Sequence, residues 1–253
     1  MLYSPYDWNE SLQHRSEYVD LRLRSGSPVA GVSYDEGVLL LTIRGSQRKI
    51  FEVYDRLMFS ALGNQADLES VRIAAIDVAH QEGFSRSPDD VTIQRIVGFA
   101  ISPLVKRAFA DAFSTPLVIR ALFAEVGRHP DRDAFFTLNY DGEFAALTGS
   151  AAVAGTLAAE QAMMEHLQWD ANARPNLHGA IRAALWAWAA GRLMASEPER
   201  DAPPSGSDLE AVLSRELKAG ALEAAVLERN TSRESKFRLL SSAELDPVVA
   251  QLL

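Results

Sequence analysis

Cysteine is absent from this chain of 253 residues. That excludes a disulfide framework, a thiolate metal site and a cysteine nucleophile. Histidine is scarce: His14, His80, His129, His166 and His178 include no pair at ligand spacing, so there is no zinc signature. Positive charge is in short supply. Lys and Arg number 25 against 34 Asp and Glu, a net charge of -9, which argues against a broad nucleic-acid surface. Gly26, Gly31 and Gly37 are not spaced as a phosphate-cradling loop before a helix, and no Gly-x-Ser-x-Gly elbow occurs. No cofactor and no metal are implied. Long clean apolar runs are also missing. The most apolar stretch, Leu177 to Ala195, is interrupted by His178, Arg182 and Arg192 and reads as a buried helix, not a membrane span. Met1 to Glu10 is polar and acidic, unlike a secretory signal, so the expected location is cytoplasmic.

What remains is an ordinary folded composition and a length that can bury a sizeable core. Residues 6–24 mix charges with Trp8, Leu12, Tyr18, Leu21 and Leu23, a pattern that suits an exposed helix or a disordered leader. Val29 to Val32 and Val38 to Ile43 read as a hairpin of buried strands around Ser33 to Gly37, and Leu57 to Leu62 as a further strand. The period then changes. Leu68, Val71, Ala75, Val78 and Ala79 recur at helical spacing up to Gly83. A second helix is expected from Ser87, with Pro88 at its first position and a kink or break at Pro103. Strands return at Leu117 to Val126 and Phe135 to Tyr140, and Asp141-Gly142 turns into a return strand at Glu143 to Leu147. Helices are expected at Val153 to Trp169 and Leu177 to Ala195, then a flexible loop at 197–207. A short helix near Leu209 to Leu217, strands at Leu222 to Leu227 and Phe237 to Leu240, and a final helix from Ser242 complete the reading. Arg128 to Asp133 reads as a solvated charged turn. Trp186 and Trp188 cannot share one narrow helix face, so one is expected in the core and the other at a second surface. The order of strands, two helices, strands, two helices, strands fits an α+β fold. Two packed sheets with helices on both outer faces satisfy it.

Several segments resemble the proteasome family. Ser27 to Val32 with Tyr34 to Leu39 resembles the first hairpin of a proteasome subunit, Lys49 to Asp55 its next strand and turn, and Phe59 to Asp67 its passage from sheet into first helix. His14-Arg15-Ser16-Glu17-Tyr18 is similar to the leader of bacterial proteasome alpha subunits, and Leu222 to Asn230 with Phe237 to Leu240 resembles their last two strands. The resemblance covers most of residues 4–246 and implies a four-layer alpha-beta-beta-alpha sandwich, the N-terminal nucleophile hydrolase fold. It divides the chain into a gate tail and leader helix at 1–26 and one sandwich domain at 27–253. It implies a seven-membered alpha ring stacked on proteolytic beta subunits, docked by a ring-shaped ATPase or other activator and admitting unfolded protein.

In the catalytic subunits of that family an N-terminal threonine is the nucleophile, tuned by a lysine and a nearby acid. The threonine position falls near Ser27, the lysine position on Lys49, and the acid near Ile43 or Arg44, where no carboxylate stands. The resemblance therefore implies a non-catalytic subunit. The alternatives are a peptidase activated by cleavage before Ser27 and a homo-oligomeric scaffold without a protease partner. In alpha subunits the lysine matching Lys49 pairs with the terminal carboxylate of a docked activator, and Gly63 matches a position lining the same pocket. The other reading of Lys49 is an ordinary surface ion pair. Tyr3, Ser4, Pro5 and Tyr6 match the gate, Pro5 stiffening the turn from which the tail crosses the pore.

Overall fold

The computed structural model describes residues 5–168, 174–200 and 202–253. Helix α1 (Pro5–Leu23) answers the open question about the leader in favour of a helix. Pro5 is its first residue, a position where the missing N–H is not needed, rather than part of a turn. Two hairpins follow, β1 (Val29–Tyr34) with β2 (Gly37–Arg44), and β3 (Ile50–Tyr54) with β4 (Leu57–Gly63). Then come α2 (Gln65–Ser85), a single 3-10 turn at Pro88–Asp90, a π-helix at Gln94–Ile101 and α3 (Ser102–Ala110). Strands β5 (Ile119–Glu125), β6 (Ala134–Leu138), β7 (Phe144–Leu147) and β8 (Ser150–Val153) form the next group. Helices α4 (Leu157–His166), α5 (Leu177–Ser196) and α6 (Gly206–Ala219) precede β9 (Ala221–Glu228), β10 (Phe237–Leu239) and α7 (Ser242–Ala250).

The strands make two five-stranded antiparallel sheets, ordered β10-β9-β2-β1-β8 and β3-β4-β5-β6-β7. Side chains alternate across each sheet, so every inner strand feeds two cores. Leu39, Leu41 and Ile43 of β2 pack under α4 to α7, whereas Val38 and Leu40 point between the sheets. Phe59 and Ala61 of β4 meet α2, the π-helix and α3, whereas Met58 and Leu62 point between the sheets. Val19 and Leu23 of α1 close the same inter-sheet core. The result is the expected alpha-beta-beta-alpha sandwich. Burying each large side chain of these cores contributes about 1.5–3 kcal/mol.

Local departures from the sequence reading have physical causes. Val153, expected to open a helix, instead ends the fully buried strand Ser150–Val153 paired with β1, α4 begins only after its Thr156 cap, and the expected helix end at Trp169 lies outside the described residues. The strand's two alanines carry no strand signal, and burial on both faces removes the alternation. Ser87 does cap, accepting from the Asp89 N–H at 3.3 Å, but the turn it starts ends at Asp90. The helix proper begins near Ile93, whose N–H donates to Glu125 Oε2 at 2.8 Å. Pro103 follows the π-helix, whose wider winding absorbs the proline's missing N–H and its clash with the preceding turn. Helix α2 runs past Gly83 to Ser85.

Trp188 is fully buried and Trp186 half-buried, as their spacing predicts. Asp133 overturns the reading of Arg128 to Asp133 as wholly solvated, because it is buried. It accepts from Arg229 Nη1 at 2.8 Å, Arg229 Nη2 at 2.9 Å, the Gly127 N–H at 3.0 Å and the Ser33 hydroxyl. Among the described residues, no helix is long and apolar enough to cross a membrane.

Candidate functional site

The chain crosses from one sheet to the other in the segment between β2 and β3. Lys49 stands at the end of that crossing, just before Ile50 opens β3. Ser27 lies two residues before β1, at the same end of the sandwich, and Gly63 is the last residue of β4. The fold therefore brings together three positions far apart in sequence. Gly26, Ser27, Lys49, Leu62, Gly63 and Gln65 line one open cleft of about 270 Å³.

Lys49 is half-buried, and its Nζ donates to the Ser27 carbonyl oxygen at 2.6 Å. An ammonium has three donors. Among the described residues this carbonyl is its one hydrogen-bond partner, and no carboxylate lies within ion-pair distance. Burial pushes the ammonium down to about 7, and the Glu223 carboxylate pulls it partly back up. Lys49 is thus not an ordinary surface ion pair.

Ser27 has its hydroxyl held by neighbouring groups. Its hydroxyl donates to the Ile43 carbonyl, accepts from Trp188 Nε1 at 3.2 Å and lies 3.3 Å from Thr42 Oγ1. Its nitrogen is an ordinary amide between Gly26 and Pro28, not a free amine. Lys49 Nζ bonds to the Ser27 carbonyl and not to its hydroxyl. Among the described residues no Lys, His, Asp or Glu side chain bonds the Ser27 hydroxyl.

Gly63 lacks a side chain for a reason internal to the sheet. Its φ is +133°, and a Cβ there would lie 2.0 Å from the Val118 carbonyl oxygen. The open rim at Gly63 follows from that backbone constraint. Pro5 and Tyr6 begin α1, whereas Tyr3 and Ser4 lie outside the described residues. Among the described residues no group of three or more His, Asp and Glu could hold a metal ion.

Sequence reasoning missed Glu223. This carboxylate sits in β9 opposite Thr42 of β2 and is 6% exposed. Oε2 accepts the Lys49 N–H at 2.9 Å and Oε1 the Ile50 N–H at 3.2 Å. Arg44 Nε at 3.4 Å and Arg48 Nε at 3.6 Å complete its surroundings. The available signal was a lone acid inside the apolar run Leu222 to Leu227.

No protein-family model matches the chain. Curated relatives do. Proteasome subunit alpha of Parafrankia sp. (strain EAN1pec) is 30% identical over 244 residues, covering 96% of this chain and 93% of that protein. Proteasome subunit alpha of Kineococcus radiotolerans is 29% identical over 244 residues with the same coverage, and that of Geodermatophilus obscurus is 30% identical over 246 residues, covering 94% of this chain and 77% of that protein. Similarity at this level over nearly the whole chain, on an alpha-beta-beta-alpha sandwich, shows that the chain belongs to the proteasome alpha subunit family.

Proposed function

We propose that this chain is a ring-forming, non-catalytic alpha subunit that gates access to a proteolytic chamber and docks an activator through the Lys49 cleft. The observation that carries the docking role is the ammonium of Lys49, held at an open cleft with, among the described residues, only a main-chain carbonyl as partner. A peptide carboxylate entering the cleft meets a point charge with donors to spare. Gly63 leaves the rim low enough for main chain to pass.

Assembly is supported by apolar side chains left outside. Ile73 and Phe84 lie three turns apart on one face of α2, and Phe84 is 95% exposed. Phe99 on the neighbouring π-helix is 71% exposed. Exposed apolar groups of this size on one helical layer mark a contact surface. Neighbouring alpha subunits and proteolytic beta subunits are the partners proposed, with unfolded protein as substrate, a cytoplasmic setting, and residues 3–6 as the gate.

The peptidase alternative needs cleavage before Ser27, and the engagement of the Ser27 hydroxyl by Ile43, Thr42 and Trp188 disfavours it. Co-expression with a threonine-bearing beta subunit tests the whole reading. Electron microscopy should show stacked rings with this chain outermost and full length by intact mass. Loss of residues 1–26, or rings that never recruit a beta subunit, would count against it. Within the assembled particle, Lys49→Ala should leave the rings intact and abolish binding of an activator's C-terminal peptide. Deleting residues 2–6 should raise the rate of peptide hydrolysis, and an unchanged rate rejects the gate.

A further inference from the structure

The crossing segment between β2 and β3 makes one wall of the cleft, and a single side chain anchors both of its ends. Glu223 reaches it from β9. The carboxylate takes the main-chain N–H groups of Lys49 and Ile50, and it faces Arg44 where β2 ends and Arg48 just before Lys49. Gly220, before β9, packs against the same corner, where a Cβ would lie 2.6 Å from the Arg44 carbonyl oxygen. The main chain that presents Lys49 is therefore clamped by an element 174 residues away in sequence.

We propose that Glu223 is the positioning residue of the docking cleft: it fixes the backbone that presents Lys49 and supplies the negative field that holds the lysine charged. This rests on the reading of the cleft as a carboxylate-docking site. The field has a definite balance. Arg44 and Arg48 lie against Glu223 and offset part of its charge. From α5, Arg192 donates to the Ser25 carbonyl and pairs with Glu216. Helix α2 lines the cleft with neutral Gln65 and Leu68 and carries the Glu69–Arg72 pair further along. Glu223 is the carboxylate that acts on Lys49, opposing a desolvation that favours the neutral amine. A glutamine there would keep one acceptor for an amide N–H and turn a donor toward the other.

Lys49 is one of four lysines, with Lys106, Lys218 and Lys236, so isotopic methyl labels on the lysine amines give a spectrum in which its titration can be followed. In the full-length chain the Lys49 signal should titrate near 7, and in Glu223→Gln its midpoint should fall by about one pH unit. The other three signals should not move. An unchanged Lys49 midpoint overturns the proposal. If Glu223→Gln does not fold, the double variant Arg44→Met/Arg48→Met, at partly exposed positions, tests the same balance. There the midpoint should rise, and no rise overturns the proposal. A second readout uses a synthetic peptide matching the C-terminal tail of a ring-shaped ATPase activator, with its amidated form as control. Glu223→Gln should shift the pH profile of its binding to lower pH, whereas a uniform loss at every pH would reduce Glu223 to a merely structural role. If the peptide binds neither protein while the titration shift stands, the docking reading falls and the positioning of Lys49 by Glu223 survives.

Discussion

Two buried carboxylates sit toward opposite ends of β1: Asp133 bonds Ser33, and Glu223 lies level with Val29, about 13 Å of strand away. Each gathers donors from segments remote in sequence. Asp133 takes a two-pronged hydrogen bond from Arg229, and that arginine is itself buried and also donates to the Gly127 carbonyl at 2.6 Å. Glu223 takes two main-chain N–H groups, while its arginines remain partly exposed and Lys49 looks into the cleft. The first arrangement encloses its cation, and the second leaves one available. Similar chemistry therefore closes one end of the molecule and, in the proposed function, prepares the other to receive an anion.

The largest effect that should separate the two ends is on stability. Asp133→Ala strands the Arg229 guanidinium in the interior and should cost about 3–5 kcal/mol, read from the urea midpoint of the isolated chain. A loss below 1 kcal/mol, on the order of a surface pair, would erase the distinction. A smaller and opposite effect is expected at the cleft. Lys49→Met should stabilise the free subunit, because the folded chain holds this ammonium against desolvation. The sign follows from linkage: the native amine is lowered to about 7 from 10.5, so the penalty is complete below 7 and vanishes as pH rises toward the unfolded value. The variant's advantage should shrink over that window, and a constant advantage would mean that packing, not charge, is responsible.

The smallest effect concerns pH and docking. A peptide carboxylate stays ionised throughout, so only the charge on Lys49 changes across neutrality. Affinity should be level in acid and decline above about pH 7, by at most about tenfold per unit for one proton. An affinity that rises with pH would remove Lys49 from the contact.

Much of the sandwich was legible because its strands are written in branched apolar residues. Val29 to Val32, Val38 to Ile43 and Leu57 to Leu62 have little choice but to be buried strands. Strand β8 was not legible, since Ser-Ala-Ala-Val acquires its conformation only by pairing with β1. At the site, Lys49 and Gly63 were found through family likeness, and the reason for Gly63 emerged only from its +133° φ against Val118. Glu223 and Asp133 were invisible for a common cause. Their partners lie 174 and 96 residues away, and a lone acid in an apolar strand or a charged turn does not say what it will face.

The π-helix at Gln94–Ile101 makes the layer over the second sheet sensitive to chain length. Ser102 donates to the carbonyl five residues back, at Val97, so this stretch holds more residues than an α-helix of equal rise. Deleting one residue here while the wider winding persists would rotate everything beyond it by roughly one residue's turn, on the order of 100°. Val105, now turned toward the sheet, would swing aside, and a neighbour on α3 would take its place. The fold would keep its outline while the outward face of α3 changed, so the length of this one helix sets which side chains that layer offers to another subunit.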